Sequence, residues 1–212
     1  MSLKEVRERI GAACGRAHRD PAEVKLVAVT KGHSVEEIED AVLQHGHAIL
    51  GESRVQEWQD KYEVLQDAEW HFIGNLQRNK VKYCAPFRTI HSLNSARLAD
   101  EMEKQGAKRE HIFQVMVEVN VAGEDSKEGA ALKDAKDLVR HAQGLAHVEV
   151  AGLMTIAPYA DDPEDARPIF RRLRELNERL GLKELSMGMS GDFEVAIEEG
   201  ATCVRIGSAL FE

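Results

Sequence analysis

A lysine at the end of an apolar segment is the first residue in this sequence that is positioned to do chemistry. The segment from Val24 to Thr30 is mostly apolar, as expected for a buried strand, and it ends at Lys31. A lysine just past a strand is usually a solvated surface residue, because lysine is rarely buried. The alternative is a nucleophile, since partial desolvation lowers the pKa of an amine and frees it to form a Schiff base with a carbonyl.

The last third of the chain offers two places where a phosphate could bind. Ser190 and Gly191 precede "DFEVA", which has helical spacing, and a helix N-terminus presents free N–H groups to an anion. Gly207 and Ser208 follow the apolar segment "CVRI". Gly207 permits close approach of the backbone, and Ser208 supplies a hydroxyl donor. A lone Gly-Ser pair usually marks a turn, but two donor-rich segments together favour phosphate binding.

Arg205 lies two residues before Gly207, so the two residues face the same side of the predicted strand. An arginine that faces the inside of a sheet structure needs a partner. One interpretation is a structural ion pair with Glu118 or another inward-facing acid. The other is that Arg205 donates a hydrogen bond to a ring nitrogen of a cofactor. The residues alone leave both interpretations open.

Strand-like and helix-like segments alternate along the chain, and these elements must position the reactive residues. The strand-like segments are "VKLVAVTK", "HAILGES", "EWHFIGN", "RTIHSLN", "IFQVMVEVNV", "VEVAGLMTI", "ELSMGMS" and "CVRIGSALF". Segments with apolar residues three and four positions apart lie between them and predict helices. Such alternation predicts a parallel sheet of the α/β class. Eight strands in 212 residues fit a (β/α)8 barrel at the lower edge of its usual length.

We therefore predict one domain over residues 1–212, a single (β/α)8 TIM barrel. A helix over residues 2–18 should close the ring, and no helix should follow the last strand. The rival architecture is a doubly wound open sheet, which is disfavoured because no G-x-G-x-x-G follows the first strand. In a barrel, ligands bind at the C-terminal ends of the strands, where Lys31 and Gly207 would meet.

Serines and glycines mark the predicted helix ends. Ser34, Ser95 and Ser190 are predicted to start helices, because each precedes a segment of helical spacing. Gly106 is one of several glycines predicted to end a helix.

Composition excludes several classes of partner. The formal net charge of −9 argues against a nucleic-acid backbone or an anionic membrane as the main partner. The three cysteines are scattered and include no CxxC, which predicts reduced thiols in a cytoplasmic protein. No apolar run approaches the ~20 residues of a membrane-spanning helix. The nine histidines show no ligand spacing supported by nearby acids, so no metal site is predicted.

Eight fragments of the sequence together resemble the pyridoxal phosphate homeostasis proteins, the YggS/PROSC family. The fragments are "LVAVTK", "GESRVQE", "WHFIGNLQRNK", "IHSLNS", "VEVNVAGEDSKEG", "GLMTIAP", "LSMGMSGDFEVAIEEGAT" and "VRIGSALF". Each fragment alone is a weak signal. Their order and spacing run nearly from end to end and make the resemblance specific.

The resemblance implies a barrel similar to the N-terminal domain of alanine racemase, with pyridoxal 5'-phosphate (PLP) as its cofactor. It implies that Lys31 carries PLP as a Schiff base, that Arg205 faces the pyridine nitrogen and that Met154 lies close to the ring. Most relatives have asparagine where this chain has Ser53, which keeps a hydrogen-bonding group of shorter reach near the cofactor. The implied cofactor-binding residues are Lys31, Ser53, Met154, Ser190, Arg205, Gly207 and Ser208.

The resemblance also implies a role in PLP homeostasis, as a protein that binds and carries PLP without dedicated catalytic residues. The alternatives are a PLP-dependent amino-acid racemase-like enzyme and a phosphosugar aldolase or isomerase that uses Lys31 without a cofactor. An arginine at the pyridine nitrogen leaves that nitrogen unprotonated, which weakens the ring as an electron sink. A racemase also needs an acid/base opposite the lysine.

In alanine racemase that acid/base is a tyrosine from a second domain of the partner subunit, and we expect this chain to lack such a domain. Tyr159 is the remaining candidate, so the carrier is favoured. The expected partners are PLP, with amino acids and PLP-dependent apo-enzymes as further candidates, and the expected state is a monomer. Lys127 is either a solvated loop lysine, or a transient PLP acceptor or a group that steers the phosphate. His71 is predicted to be a core residue or to lie behind the site.

Overall fold

A closed barrel of parallel strands forms the centre of the computed structural model, which describes residues 1–124 and 128–211. In this part of the chain the strands are β1 (Lys25–Val29), β2 (Ile49–Glu52), β3 (Glu69–Phe72), β4 (Thr89–Leu93), β5 (Phe113–Asn120), β6 (Ala130–Ala131), β7 (Val148–Met154), β8 (Glu184–Ser186) and β9 (Cys203–Ile206). Pairing runs from β1 through β2, β3, β4, β5, β7, β8 and β9 and returns to β1. The two-residue strand β6 pairs with the end of β5. The predicted (β/α)8 barrel is confirmed, and each of the eight apolar segments contributes one barrel strand.

Helices cover the outside of the barrel. They are α1 (Leu3–Arg16), α2 (Val35–Ala41), α3 (Val55–Tyr62), α4 (Ala96–Arg109), α5 (Ala135–Gln143), α6 (Arg167–Arg179), α7 (Phe193–Glu198) and α8 (Ser208–Phe211). Short 3₁₀ helices occur at Pro21–Glu23, Leu43–His45, Arg78–Tyr83 and Pro163–Ala166.

The predicted helix starts at Ser34 and Ser95 are confirmed, because each side chain accepts a backbone hydrogen bond at the N-terminus of its helix. The prediction for Ser190 is wrong. The residue before α7 is Asp192, and its carboxylate accepts a hydrogen bond from the backbone N–H of Met189 at 2.6 Å. Ser190 therefore belongs to the loop before α7, where its hydroxyl oxygen accepts a hydrogen bond from the backbone N–H of Ala209.

The predicted end of the chain needs one correction, because the short helix α8 follows the last strand. The backbone N–H groups of Leu210 and Phe211 donate to the carbonyl oxygen of Gly207, which closes a single helical turn. Leu210 is buried, and the Phe211 ring stacks on His33 with centroids 4.2 Å apart. The helix α1 packs against both α7 and α8, so it covers the side of the barrel where the strand order closes, as predicted.

Gly106 was predicted to end a helix, and it lies inside α4 instead. A Cβ atom at this position would lie 2.5 Å from Cβ of His147 and 2.6 Å from the carbonyl oxygen of His111. Glycine is required here because α4 packs directly against these two residues, and not because the helix stops.

The hydrophobic core lies between the barrel and its helices, whereas the barrel interior is partly polar. Leu26, Trp70 and Val204 are buried members of the outer core. The alternate residues of the same strands face inward, as the two-residue period of a strand requires. Among these inward residues are His71 and Arg205, which are 1% and 4% exposed. The interior is thus able to hold polar groups that reach the end of the barrel.

Candidate functional site

A cavity of about 720 Å³ lies at the C-terminal ends of the strands. Six of the seven residues predicted to bind the cofactor line this cavity, namely Lys31, Ser53, Ser190, Arg205, Gly207 and Ser208. The seventh, Met154, is the last residue of β7; it is buried and is not part of the cavity wall. Its implied place near the ring stays a prediction. The barrel topology thus brings together residues that are up to 177 positions apart, from Lys31 to Ser208.

Lys31 lies in the loop after β1, with an exposed side chain that lines the cavity. The backbone neighbours of Lys31 on both sides are held by hydrogen bonds to side chains of α3. The ammonium group of Lys61 donates to the carbonyl oxygen of Thr30 at 2.6 Å. The backbone N–H of Gly32 donates to the carboxylate of Glu57. The loop therefore fixes the backbone on either side of Lys31 and leaves its amine free to reach the cavity.

Lys61 was not identified from the sequence, although it is the buried centre of this arrangement. It donates to Glu52 at 2.5 Å and to Glu57 at 3.1 Å, in addition to Thr30. The hydroxyl of Thr30 also donates to Glu52, at 2.6 Å. The only signal in the sequence was the Glu57–Lys61 spacing of four residues on a helix, which is common on solvated surfaces.

Glu52 is fully buried at the end of β2. Burial raises its pKa, and the hydrogen bonds from Lys61 and Thr30 act in the opposite direction. The pKa of Glu57 is below its ordinary value. Its burial acts to raise this pKa, but the hydrogen bonds from Gly32 and Lys61 outweigh that effect. Two carboxylates thus converge on one buried ammonium group beneath the Lys31 loop.

The predicted phosphate end consists of two loops that meet. The hydroxyl oxygen of Ser190 accepts a hydrogen bond from the backbone N–H of Ala209 at 3.2 Å, which links the loop after β8 to α8. A Cβ atom at Gly191 would meet nothing within 4 Å, so the backbone is open to the cavity. At Gly207 a Cβ atom would lie 3.3 Å from Cβ of Val29, so glycine allows β9 to end close to β1.

Asp192 also lines the cavity beside these loops. Burial raises the pKa of Asp192, while the hydrogen bond from the Met189 N–H acts to lower it. No pattern of residues in the sequence singles out this acid. It lies near the expected phosphate and anchors the loop through Met189, which explains its presence among otherwise neutral donors.

Arg205 enters the cavity wall from inside the barrel. Its Nη1 donates to the Ser186 hydroxyl oxygen at 2.5 Å, and its Nη2 donates to the carbonyl oxygen of Thr155 at 3.0 Å. Burial lowers the pKa of Arg205. Among residues 1–124 and 128–211, no carboxylate lies within 4.0 Å of its guanidinium, so Arg205 and Glu118 form no direct ion pair. The guanidinium is held by neutral groups.

Glu118 is a buried acid inside the barrel near Arg205. Burial raises the pKa of Glu118 to about 7, and the positive charge of Arg205 acts to lower it. The interpretation that Arg205 and Glu118 form a direct structural ion pair is therefore wrong. The two residues influence each other electrostatically across a longer distance.

Two other sequence candidates have defined places. Tyr159 lines the cavity and is 93% exposed, so its ring lies at the outer rim. His71 is buried and contacts His91 and Glu69, which confirms the prediction of a core position. Lys127 lies outside the described residues.

Among the residues that are described, none of the helices is both long and apolar enough to span a bilayer.

The barrel and its C-terminal cavity define a protein of the alanine racemase N-terminal domain class, and residues 1–212 match the family described as "Alanine racemase, N-terminal domain". The chain is 49% identical to the pyridoxal phosphate homeostasis protein of Aquifex aeolicus, over 99% of this chain and 95% of that protein. It is 42% identical to the protein of the same name from Deinococcus radiodurans, over the full length of both. The chain belongs to the pyridoxal phosphate homeostasis protein family.

A solved structure is similar to this chain in both sequence and fold over nearly the full length of the chain. PipY of Synechococcus elongatus, determined with PLP bound, is 31% identical and superposes with a TM-score of 0.84, covering 98% of this chain and 100% of that chain.

Proposed function

We propose that this protein binds PLP in the cavity at the C-terminal end of the barrel, with Lys31 as the residue that forms a Schiff base. The observation that carries the proposal is that one cavity unites the amine of Lys31, the hydroxyls of Ser190 and Ser208, and the guanidinium of Arg205. These are the groups that an aldehyde, a phosphate and a pyridine nitrogen require. The PLP-bound relative PipY and the family name support the same cofactor.

The residues present fit this cofactor. The cavity of about 720 Å³ lies in the range of small-molecule sites. Gly191 and Gly207 both line the cavity, and the backbone at Gly191 is open because a Cβ atom there would meet nothing within 4 Å. Among the described residues, the acids on the cavity wall are Asp162 and Asp192. When bound, PLP supplies an aldehyde for amines and an aromatic ring that withdraws electrons.

Each of these residues has a distinct task in the proposal. Lys31 would hold the cofactor through its neutral amine, which would condense with the aldehyde and release one water molecule. Ser190 and Ser208 donate hydrogen bonds to the phosphate, and Ser53 donates or accepts near the ring. Arg205 donates to the pyridine nitrogen, which keeps that nitrogen unprotonated, because a guanidinium has no lone pair to accept a proton.

We propose a role in PLP homeostasis as a protein that holds and transfers the cofactor. Arg205 does not favour a protonated ring, and the wall of the cavity presents Tyr159 at its exposed rim rather than in a buried position opposite Lys31. General acid/base catalysis needs a positioned group within hydrogen-bond reach of the reacting carbon. The second candidate function, a racemase-like enzyme, rests on Tyr159, because this is the one phenol on the cavity wall among the described residues.

The proposal is tested by the absorbance spectrum of the purified protein with PLP, followed by borohydride reduction and mass mapping of peptides. A visible band that disappears in Lys31→Ala, with the reduced adduct on Lys31, is the expected result. A band that persists unchanged in Lys31→Ala, or an adduct that maps to Lys127, would show that the site is assigned to the wrong lysine.

A further inference from the structure

Five polar side chains form one continuous chain of hydrogen bonds through the barrel interior. Arg205 Nη1 lies 2.5 Å from Ser186 Oγ, and Ser186 Oγ lies 2.8 Å from His91 Nδ1. His91 Nε2 lies 2.9 Å from His71 Nδ1, and His71 Nε2 lies 2.9 Å from a carboxylate oxygen of Glu69. Ser186 is on β8 and His91 is on β4, and these strands are not neighbours in the sheet. The chain therefore crosses the interior of the barrel.

The donor and acceptor at each step follow from the two ends. An arginine can only donate, and an ionised carboxylate can only accept. His71 must therefore donate from Nε2 to Glu69, which leaves Nδ1 of the neutral ring bare. This bare Nδ1 accepts from Nε2–H of His91, whose own Nδ1 is then bare and accepts from the hydroxyl of Ser186. The hydroxyl oxygen of Ser186 accepts from Arg205, so every hydrogen bond points from Arg205 toward Glu69.

The surroundings keep both imidazoles neutral, as this direction requires. His91 is fully buried, and burial lowers its pKa, with further lowering by the positive charges of Arg205 and Lys25. Burial also lowers the pKa of His71, where Lys25 and Arg88 act in the same direction and Glu69 acts against them. The hydrogen bonds from His71 and from Lys25, the latter at 3.1 Å, lower the pKa of Glu69 to about 2, so this carboxylate is ionised at neutral pH.

The chain connects two different ends of the barrel. Arg205 lines the proposed cofactor cavity. His71 and Lys25 line a second cavity, of about 420 Å³, whose wall also includes Arg88 and Glu184 near the N-terminal ends of the strands. Within the described part of the chain, Arg205 thus has no carboxylate at contact distance, but it is joined to that of Glu69 through three side chains.

We propose that Ser186, His91 and His71 are positioning residues for Arg205, and that Glu69 at the far end sets the direction of their hydrogen bonds. This proposal rests on the proposed function, because it assigns Arg205 to the pyridine nitrogen. The hydrogen bond to Ser186 at the end of this chain acts together with the hydrogen bond from Nη2 to the Thr155 carbonyl oxygen to fix the plane of the guanidinium, which leaves its remaining N–H groups for the cavity. Aligned hydrogen bonds polarise one another in the same direction, which strengthens the hold on Arg205.

The direction of the chain is tested in the protein without cofactor by long-range ¹H–¹⁵N NMR of the histidine rings, with signals assigned from His71→Gln and His91→Gln. The expected result at pH 7 is that both rings are neutral, with hydrogen on Nε2 and a bare Nδ1. In Glu69→Leu, His71 should sample both neutral tautomers. A ring that carries hydrogen on Nδ1 or both nitrogens in the wild-type protein, or an unchanged His71 signal in Glu69→Leu, would overturn the proposal.

The effect on Arg205 is tested with Ser186→Ala and a matched control, Ser92→Ala. Both serines are buried, but the Ser92 hydroxyl has no hydrogen-bond partner among the residues that the structure describes. Ser186→Ala should weaken binding of PLP roughly tenfold, the size of one hydrogen bond to a charged group. Binding of a PLP analogue with carbon in place of the ring nitrogen should change less than twofold, and Ser92→Ala should leave both affinities unchanged.

The two ligands separate a positioning role from a merely structural one. Equal losses for PLP and the carbon analogue in Ser186→Ala would overturn the proposal, because general damage to the barrel would affect both. Failure of the proposed function would give a different result, because Lys31→Ala would then leave PLP binding unchanged. The NMR experiment uses the protein without cofactor, so its outcome does not depend on the proposed function.

Discussion

The ammonium group of Lys61 lies 2.6 Å from the carbonyl oxygen of Thr30, the residue immediately before Lys31. The same ammonium group is buried against Glu52 and Glu57, and Glu57 in turn binds the backbone N–H of Gly32. A second lysine thus holds the loop of the proposed Schiff-base lysine from below. The position of the reactive amine depends on a charge cluster whose three side chains do not line the cavity.

Replacing Lys61 should therefore affect both stability and the site. Lys61→Met leaves Glu52 buried without its cationic partner, which should lower the free energy of unfolding by about 3–5 kcal/mol. The loosened loop should also slow formation of the visible band with PLP. Chemical denaturation and the rate of band formation measure the two effects.

The matched control is Lys4→Met, which removes an exposed lysine that pairs with Glu8 at 3.8 Å. Exposed pairs contribute only ~0–1 kcal/mol, so this variant should behave like the wild-type protein. Adding Glu52→Gln to Lys61→Met should recover part of the lost stability, because it removes the unpaired charge. Equal stability of Lys61→Met and Lys4→Met would contradict the role of Lys61.

The phosphate end should show selectivity between ligands with and without the anion. Ser190→Ala combined with Ser208→Ala should weaken PLP by roughly tens of fold, since each hydrogen bond to a charged group is worth about 1.5–3 kcal/mol. Pyridoxal lacks the phosphate and should lose little. Ser190 also accepts from Ala209, so circular dichroism is needed to show that the loops keep their structure. Equal losses for both ligands would contradict phosphate binding at these serines.

Arg205 should suppress proton exchange at the α-carbon of bound amino acids, because it keeps the ring nitrogen unprotonated. In heavy water, the wild-type protein with PLP should incorporate deuterium into alanine at a rate near that of free PLP. Arg205→Glu should favour a protonated ring nitrogen and raise the exchange rate while weakening cofactor binding. NMR or mass spectrometry of the recovered alanine measures the exchange.

The same assay decides between a carrier and a racemase-like enzyme. Exchange in the wild-type protein that is orders of magnitude faster than with free PLP, accompanied by inverted alanine, would contradict the carrier. Tyr159→Phe would then be the variant to compare, because it removes the phenolic hydroxyl at the rim of the cavity and keeps the ring.

Glu199 should make stability depend on pH in the acid range. Its carboxylate is 5% exposed and lies within 3.3 Å of Arg167, Arg171 and Arg174. Burial acts to raise its pKa, but the hydrogen bonds from Arg171 and Arg167 outweigh this, so the folded-state pKa is below the ordinary value. The stabilisation is therefore present above the unfolded-state pKa and is lost as the pH falls through the folded-state pKa.

Glu199→Gln should lower the free energy of unfolding by about 2–3 kcal/mol at pH 7, and this difference should shrink as the pH falls below ~4.3. Urea denaturation at several pH values measures it. Glu178→Gln is the control, because Glu178 is 67% exposed and lies 3.7 Å from Arg174. A difference that stays constant down to the lowest pH at which the protein folds would exclude titration of Glu199 as the cause.

The sequence by itself determined the barrel and six of the residues that line the cavity. Parallel strands buried on both faces are read as short apolar runs, and the residues that end them must meet at one end of a closed barrel. Lys31, Arg205 and Ser208 could therefore be placed together without coordinates. The same reasoning failed for the ends of elements, as at Gly106, because a glycine needed for close packing looks the same in sequence as one that stops a helix.

Only the tertiary structure decided what supports those residues. Lys61 reads as a surface lysine with a helical ion pair, and it becomes the buried anchor of the Lys31 loop only when α3 packs on the ends of β1 and β2. The sequence also left the partner of Arg205 open, and the structure joins Arg205 to Glu69 through Ser186, His91 and His71 instead of pairing it directly with Glu118. A hydrogen bond across a barrel forms only when the distance between donor and acceptor is correct to within a few tenths of an ångström. The two groups lie on strands that are far apart in sequence, so no local pattern of residue types determines that distance.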